Sequence, residues 1–151
     1  MNLHLNKMKK GFTLVELLIA IAILGILATI GMGSFRTAQL RGRDGERKSD
    51  LKQISNALEL YHSDYNRYPA AIVFGSELTD GKTSYMKEVP EDPGGAAYVY
   101  AVSLSGNKYQ LFAYLENTED KNIDATITAS CGTATCNFSI TSPNTTPTES
   151  L

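Results

Sequence analysis

Apolar residues are distributed along this chain in three regimes, and each predicts a different element. Over residues 12–35 they run almost without a break, interrupted by one acid, Glu16, and by no base before Arg36. A helix of that length, rising ~1.5 Å per residue, measures about 36 Å, enough to cross a hydrocarbon core of roughly 30 Å. Over residues 36–50 acids and bases alternate at helical spacings, which predicts a solvated continuation of the helix. Leu51, Ile54, Leu58, Tyr61, Tyr65 and Tyr68 then step by three and four, an apolar stripe that must pack on something. Lys52, Gln53, Asn56, Glu59 and Ser63 fall on the opposite face. Asn66 and Pro69 end the helix, because the residue before a proline is pushed out of the helical region.

Residues 70–96, rich in glycine and proline around an apolar patch at Ala71-Ile72-Val73-Phe74, predict a loop. Two strand-like runs follow, at 98–104 and 108–115, joined at Ser105-Gly106-Asn107 as a hairpin. Tyr98, Tyr100, Val102 and Leu104 make one face of the first run, and both faces of the second are fairly apolar. One sheet face is expected to cover the tyrosine stripe. Residues 125–128 and 137–140 each add a strand, and residues 142–151 read as a disordered tail. The pattern as a whole is α+β, one long N-terminal helix packed on a small antiparallel sheet.

The order of residues at the start is unusual. An ordinary secretory signal has its small-residue cleavage site after the apolar run and discards that run. Here the small residue, Gly11, lies before it, after Lys9-Lys10. The sequence Gly11-Phe12-Thr13-Leu14-Val15-Glu16 with its basic leader resembles the class III signal of type IV pilins and type II secretion pseudopilins. The resemblance implies that a prepilin peptidase in the membrane cuts between Gly11 and Phe12 and methylates the new amino terminus. It also implies a pilin-like fold and assembly into a filament. Tyr68-Pro69, and Val89-Pro90-Glu91-Asp92-Pro93 before Tyr98-Val99-Tyr100, are similar to the same family's helix ending and entry into the first strand. The domain plan is then a cleaved leader over 1–11, a transmembrane and assembly helix over 12–35, and its amphipathic continuation over 36–68. A loop and antiparallel sheet over 69–141 and the tail over 142–151 complete it.

Glu16 makes a membrane anchor into an assembly device. An acid in a spanning helix costs about 2.5–3.5 kcal/mol at the bilayer centre and less near an end, so it favours a cationic partner. Cleavage would free the Phe12 amine, a positive group about one turn away, and the amine of one subunit is expected to pair with Glu16 of another. The alternative is an interfacial acid with no partner. Gly25, Gly31 and Gly33 weaken the helix around them by roughly 1 kcal/mol each relative to alanine. They serve either local stretching or close helix packing.

Charge and cysteines set the compartment. Loss of the leader's three lysines takes the net charge from −2 to −5, and no basic patch with interleaved aromatics lies outside residues 36–52, so no nucleic-acid surface is indicated. Arg36, Arg41, Arg43, Arg47 and Lys48 outnumber the leader's bases, so the positive-inside count alone would turn the chain the wrong way round. The resemblance decides for an extracytoplasmic body, because the leader must face a cytoplasmic-side peptidase. Cys131 and Cys136, an isolated pair, then read as a disulfide.

No nucleotide loop, metal helix or nucleophile elbow is present. The histidines are His4 and His62, so a Ser-His-Asp site has one candidate base and nothing to orient it; no enzyme is indicated. Glu116, Glu119, Asp120 and Asp124 cluster in nine residues that would suit a hard cation such as calcium, which type II secretion major pseudopilins hold near this end of the sheet. The spacing is not that of an EF-hand and Lys121 sits inside the cluster, so a plain solvated turn is the competing reading and no cofactor is required.

The sequence therefore points to a structural subunit of a type IV pilus or type II secretion pseudopilus. Its partners would be copies of itself, the prepilin peptidase, the membrane and an inner-membrane assembly platform. It would stand in the inner membrane as a single-pass protein, then in a periplasmic or cell-surface filament. The competing class is a membrane-anchored binding domain that never polymerises, for which Gly11 and Glu16 would have no purpose.

Overall fold

The computed structural model describes residues 11–151, except for the side chains of residues 30–34. Residues 1–10, most of the expected leader, lie outside the described residues. The chain forms two compact units, Met1–Ala38 and Gln39–Leu151, and one helix, α1 (Leu14–Tyr65), belongs to both.

In the first unit every large apolar side chain from residue 12 to residue 27 is more than half exposed, from 53% at Ile23 to 82% at Phe12. A helix apolar on all sides finds its place in a large core or in lipid, not in water. Among the described residues no helix is long and apolar enough to cross a membrane. The run of residues 12–35 on which that expectation rests extends into the residues whose side chains are undescribed.

In the second unit Leu51, Ile54, Ala57 and Leu58 form the buried face of α1. The stripe fades after that, with Tyr61 half-buried and Tyr65 41% exposed. Asn66 (φ 51°) takes the left-handed conformation that terminates helices, so α1 stops at Tyr65, earlier than the 68 expected. Tyr68 is still buried, but it reaches the core from beyond the helix, its N–H donating to Gly106 O at 2.7 Å.

The sheet contains β3 (Val99–Val102), β4 (Tyr109–Ala113) and β7 (Phe138–Thr141), antiparallel in the order β3-β4-β7. Alternation sends Tyr98, Tyr100, Val102, Tyr109, Leu111, Ala113 and Ile140 toward the helix. Phe112 faces the other way, into a second core with Ile127 and the two cysteines, and Gln110 on the same face is covered by residues 146–149, so all five residues of β4 are buried. Two small hairpins complete the fold. The first, β1 (Leu78–Thr79) with β2 (Ser84–Met86), lies in the segment expected to be loop; Asp80 closes its turn by accepting the N–H groups of Lys82 and Thr83. The second, β5 (Ser130–Cys131) with β6 (Ala134–Thr135), is closed by the Cys131–Cys136 disulfide, with 5.1 Å between Cα atoms.

Three further expectations fail. Residues 125–128 are not a strand: Asp124 accepts both the N–H and the hydroxyl of Thr126, holding a turn that delivers Ile127 to the second core. Residues 142–151 are not loose. Ser142 is buried and accepts the Tyr109 N–H at 3.1 Å, Gln110 donates to Thr146 O and Glu149 O, and Lys108 pairs with Glu149. Leu104 does not extend the inner face of β3, since the strand ends at Val102 and Leu104 stands wholly in solvent.

Candidate functional site

The N-terminal residues expected to carry assembly sit together at the start of α1, with one addition. Thr13 caps the helix: its hydroxyl accepts the Glu16 N–H at 3.3 Å, while its own N–H and hydroxyl donate to Glu16 Oε2 at 2.9 and 2.8 Å. This reciprocal arrangement is a capping box, in which two otherwise orphaned donors are satisfied. The sequence Thr13-x-x-Glu16 announces it, and reading Glu16 only as a charge overlooked it. One carboxylate oxygen is thereby occupied, while Oε1 has no partner among the described residues. Phe12 lies one residue before the cap, its ring exposed. A Cβ at Gly11 would meet nothing within 4 Å, so nothing in the described packing demands glycine there.

The body contains a second charged centre, in the stretch expected to be solvated. Asp44, Arg47 and Asp50 lie at i, i+3, i+6, in line with Leu51 and Ile54, and all three are buried. Arg47 is 1% exposed and spends its whole guanidinium on carboxylates. Nε and Nη2 bind Asp92 at 2.7 and 3.0 Å, Nη1 binds Asp44 at 2.8 Å, and Nη2 also binds Glu116 at 2.7 Å. Burial opposes its charge, but the hydrogen bonds to Asp92, Glu116 and Asp44 outweigh it and hold the group well above its ordinary value. Asp44 in turn accepts the N–H groups of Glu116 and Asn117. One arginine thus fixes the entry to β3 and the exit from β4 to the same helical turn. Gly94 permits this, since a Cβ there would collide with Arg47 Nη2 and lie 2.9 Å from Glu116 Oε1.

The four acids considered for calcium are not gathered around a common point. Glu116 takes Arg43 and Arg47, Asp120 takes Lys48 Nζ at 2.6 Å, Asp124 takes Thr126, and Glu119 lies 3.9 Å from Arg41. Among the described residues no group of three or more metal-ligating side chains forms. The bases that complicated the orientation of the chain have a structural purpose here: Arg43, Arg47 and Lys48 dock loops onto α1. His62 lies against the Tyr68 ring and has no acid partner among the described residues.

Acid should loosen this centre. Hydrogen bonds from Arg43 and then Arg47 lower the Glu116 pKa from 4.5 to about 2. Its contribution to stability is therefore complete above about 4.5 and is lost as pH falls toward 2. Asp50 acts in the opposite sense, because burial raises its pKa despite the hydrogen bond from Tyr98, so its protonation favours the folded form. Thermal melts of the wild type against Glu116→Gln should show a steeper fall below pH 4.5 in the wild type. Parallel curves would remove Glu116 as the acid-sensitive group.

Two family models match the chain: the prokaryotic N-terminal methylation motif over residues 6–32, and type II secretion system (T2SS) protein G over residues 36–129. The chain is 31% identical over 104 residues to the type II secretion system core protein G of Aeromonas hydrophila, covering 62% of this chain and 73% of that protein. It is 30% identical over 121 residues to the type IV major pilin protein PilE1 of Neisseria gonorrhoeae, covering 75% of this chain and 73% of the pilin. Against the type IV major pilin protein PilA of Myxococcus xanthus it is 41% identical over 63 residues, 42% of this chain and 29% of the pilin. No solved structure matches it.

Proposed function

This chain belongs to the type II secretion system protein G family, and on that premise we propose that it is a subunit of a secretion pseudopilus that polymerises through its N-terminal helix. The family is structural rather than enzymatic. The observation that carries the reading is the first unit of the chain. Its large apolar side chains are exposed on every side from residue 12 to residue 27, and its single acid, Glu16, lies about one helical turn from Phe12. Such a surface suits lipid before assembly and the helices of other copies afterwards. Prepilin peptidase frees the Phe12 amine, the apolar helix holds the chain in the inner membrane with its body outside, and an assembly platform delivers it to the growing end. There the amine of the incoming Phe12 meets the open Oε1 side of Glu16 on a subunit already in place. The disulfide-closed hairpin at Cys131 and Cys136 favours a second reading, a type IV pilin, which uses the same assembly chemistry in a cell-surface fibre.

Processing tests the premise of this mechanism. Mass spectrometry of the membrane-extracted protein should find a chain beginning at Phe12, N-methylated. An intact leader, or loss of residues beyond 35, would remove the amine or the helix that the mechanism needs.

A further inference from the structure

The connection between β3 and β4 carries a leucine that the fold leaves in water. Leu104 is 108% exposed, in a turn whose other residues, Ser103, Ser105, Gly106 and Asn107, are of the types that turns favour. A leucine there forgoes the burial that folding otherwise gains from it, so the fold of the isolated chain gives no reason for it.

Close by stands an arginine without an acid. Arg41, Arg43 and Arg47 each face a carboxylate in the body, whereas Arg67, the fourth arginine of that unit, pairs with none among the described residues and is exposed. The nearby acids are directed elsewhere: Glu59 accepts the Tyr68 hydroxyl and Asp64 accepts the Tyr85 hydroxyl. The backbone that presents Arg67 is held from three sides. Asn66 is left-handed, Tyr68 N–H is bound to Gly106 O, and Tyr100 hydroxyl is bound to Pro69 O at 2.7 Å. Gly106 (φ 73°) lets the hairpin come close, since a Cβ there would stand 3.1 Å from Arg67 Cβ. Arg67 and Leu104 consequently line one open cavity of about 490 Å³, walled by Tyr61, Tyr68 and Val102.

The geometry points to a docking site for a partner polypeptide that presents a carboxylate beside an aliphatic side chain. The guanidinium fork of Arg67 matches a carboxylate in two parallel hydrogen bonds, and an ammonium group would not. The aliphatic side chain would lie against Leu104 and the Tyr61 ring, burying the leucine that folding leaves exposed. Complementary charge selects the occupant, because the cavity offers one unneutralised cation, Arg67, among tyrosine, aliphatic and serine side chains.

The test uses the full chain, isotope-labelled in detergent micelles, titrated with acetyl-Ala-Leu as the free acid and as the C-terminal amide. Shifts in the NMR spectrum should centre on Arg67, Ser105 and Gly106. Loss of a charge-assisted pair should weaken binding about tenfold, both for the amide on the wild type and for the free acid on Arg67→Gln. Leu104→Ser should weaken both forms of the peptide, and Lys52→Gln, on the helix surface, should change nothing. Absence of binding, equal affinity for acid and amide, or unchanged affinity of Arg67→Gln would overturn the proposal. So would concentration-dependent shifts at the same residues without peptide, which would assign the cavity to a second copy of the chain.

Discussion

Glu16→Ala should insert into the membrane at least as well as the wild type and yet fail to form filaments. Insertion improves because an acid costing up to about 2.5–3.5 kcal/mol leaves the apolar run. Assembly fails because the Phe12 amine of each incoming subunit enters a packed helix bundle without a counter-charge. Breaking a buried pair by removing one partner costs about 3–5 kcal/mol, two or more orders of magnitude in the association equilibrium. The capping box demands a control, since alanine also removes the acceptor that the Thr13 N–H and hydroxyl use. Glutamine supplies it: Glu16→Gln keeps an acceptor for the Thr13 N–H but carries no charge. It should assemble as poorly as alanine, and Glu16→Asp should fall between, with the charge on a shorter arm. The readout is the ratio of sheared filament to membrane-pool subunit, with processing checked separately. Normal filaments from Glu16→Gln would reduce Glu16 to a helix cap.

Arg47→Leu should be the most damaging single change in the body. It leaves Asp44 and Asp92 buried without their cation, at about 3–5 kcal/mol, a large share of the roughly 5–15 kcal/mol that holds a domain of this size together. Arg43→Leu removes an equally short pair to Glu116, but Arg43 is 36% exposed in its side chain, so water replaces much of what is lost. That change should cost no more than about 1 kcal/mol. Urea unfolding followed by circular dichroism would separate the two variants. Equal losses would mean that Arg47 is no more central than any surface arginine.

The contrast between these arginines marks what the sequence reveals. Leu51, Ile54 and Leu58 are legible because burial of an apolar stripe repeats at helical spacing within one element. Arg47 obeys the same spacing but reads as a solvated charge, because its partners Asp92 and Glu116 lie 45 and 69 residues away. Nothing local records that those loops return to the helix. Leu104 fails for a related reason: alternation predicts which face a strand residue takes, not where the strand stops, and the turn takes over after Val102. At residues 125–128 the short alternating run gave way to turn chemistry at Asp124, and the polar composition of residues 142–151 concealed that Ser142 accepts the Tyr109 N–H and that Thr146 O accepts from Gln110 of β4, bonds that hold the segment to the sheet. The Thr13 cap went unread although its signal is local, since a threonine three residues before a glutamate at the head of an apolar run marks a helix start by sequence alone.

Pairing between the Phe12 amine and Glu16 is most directly tested inside the filament. Filaments grown from a mixture of two populations, one labelled at the Phe12 nitrogen and the other at the Glu16 side-chain carboxyl carbon, confine any dipolar coupling between the labels to contacts between different subunits. Solid-state NMR should detect that coupling at a separation below about 4 Å, the reach of a charge-assisted hydrogen bond. Intact filaments with no such coupling would contradict the account.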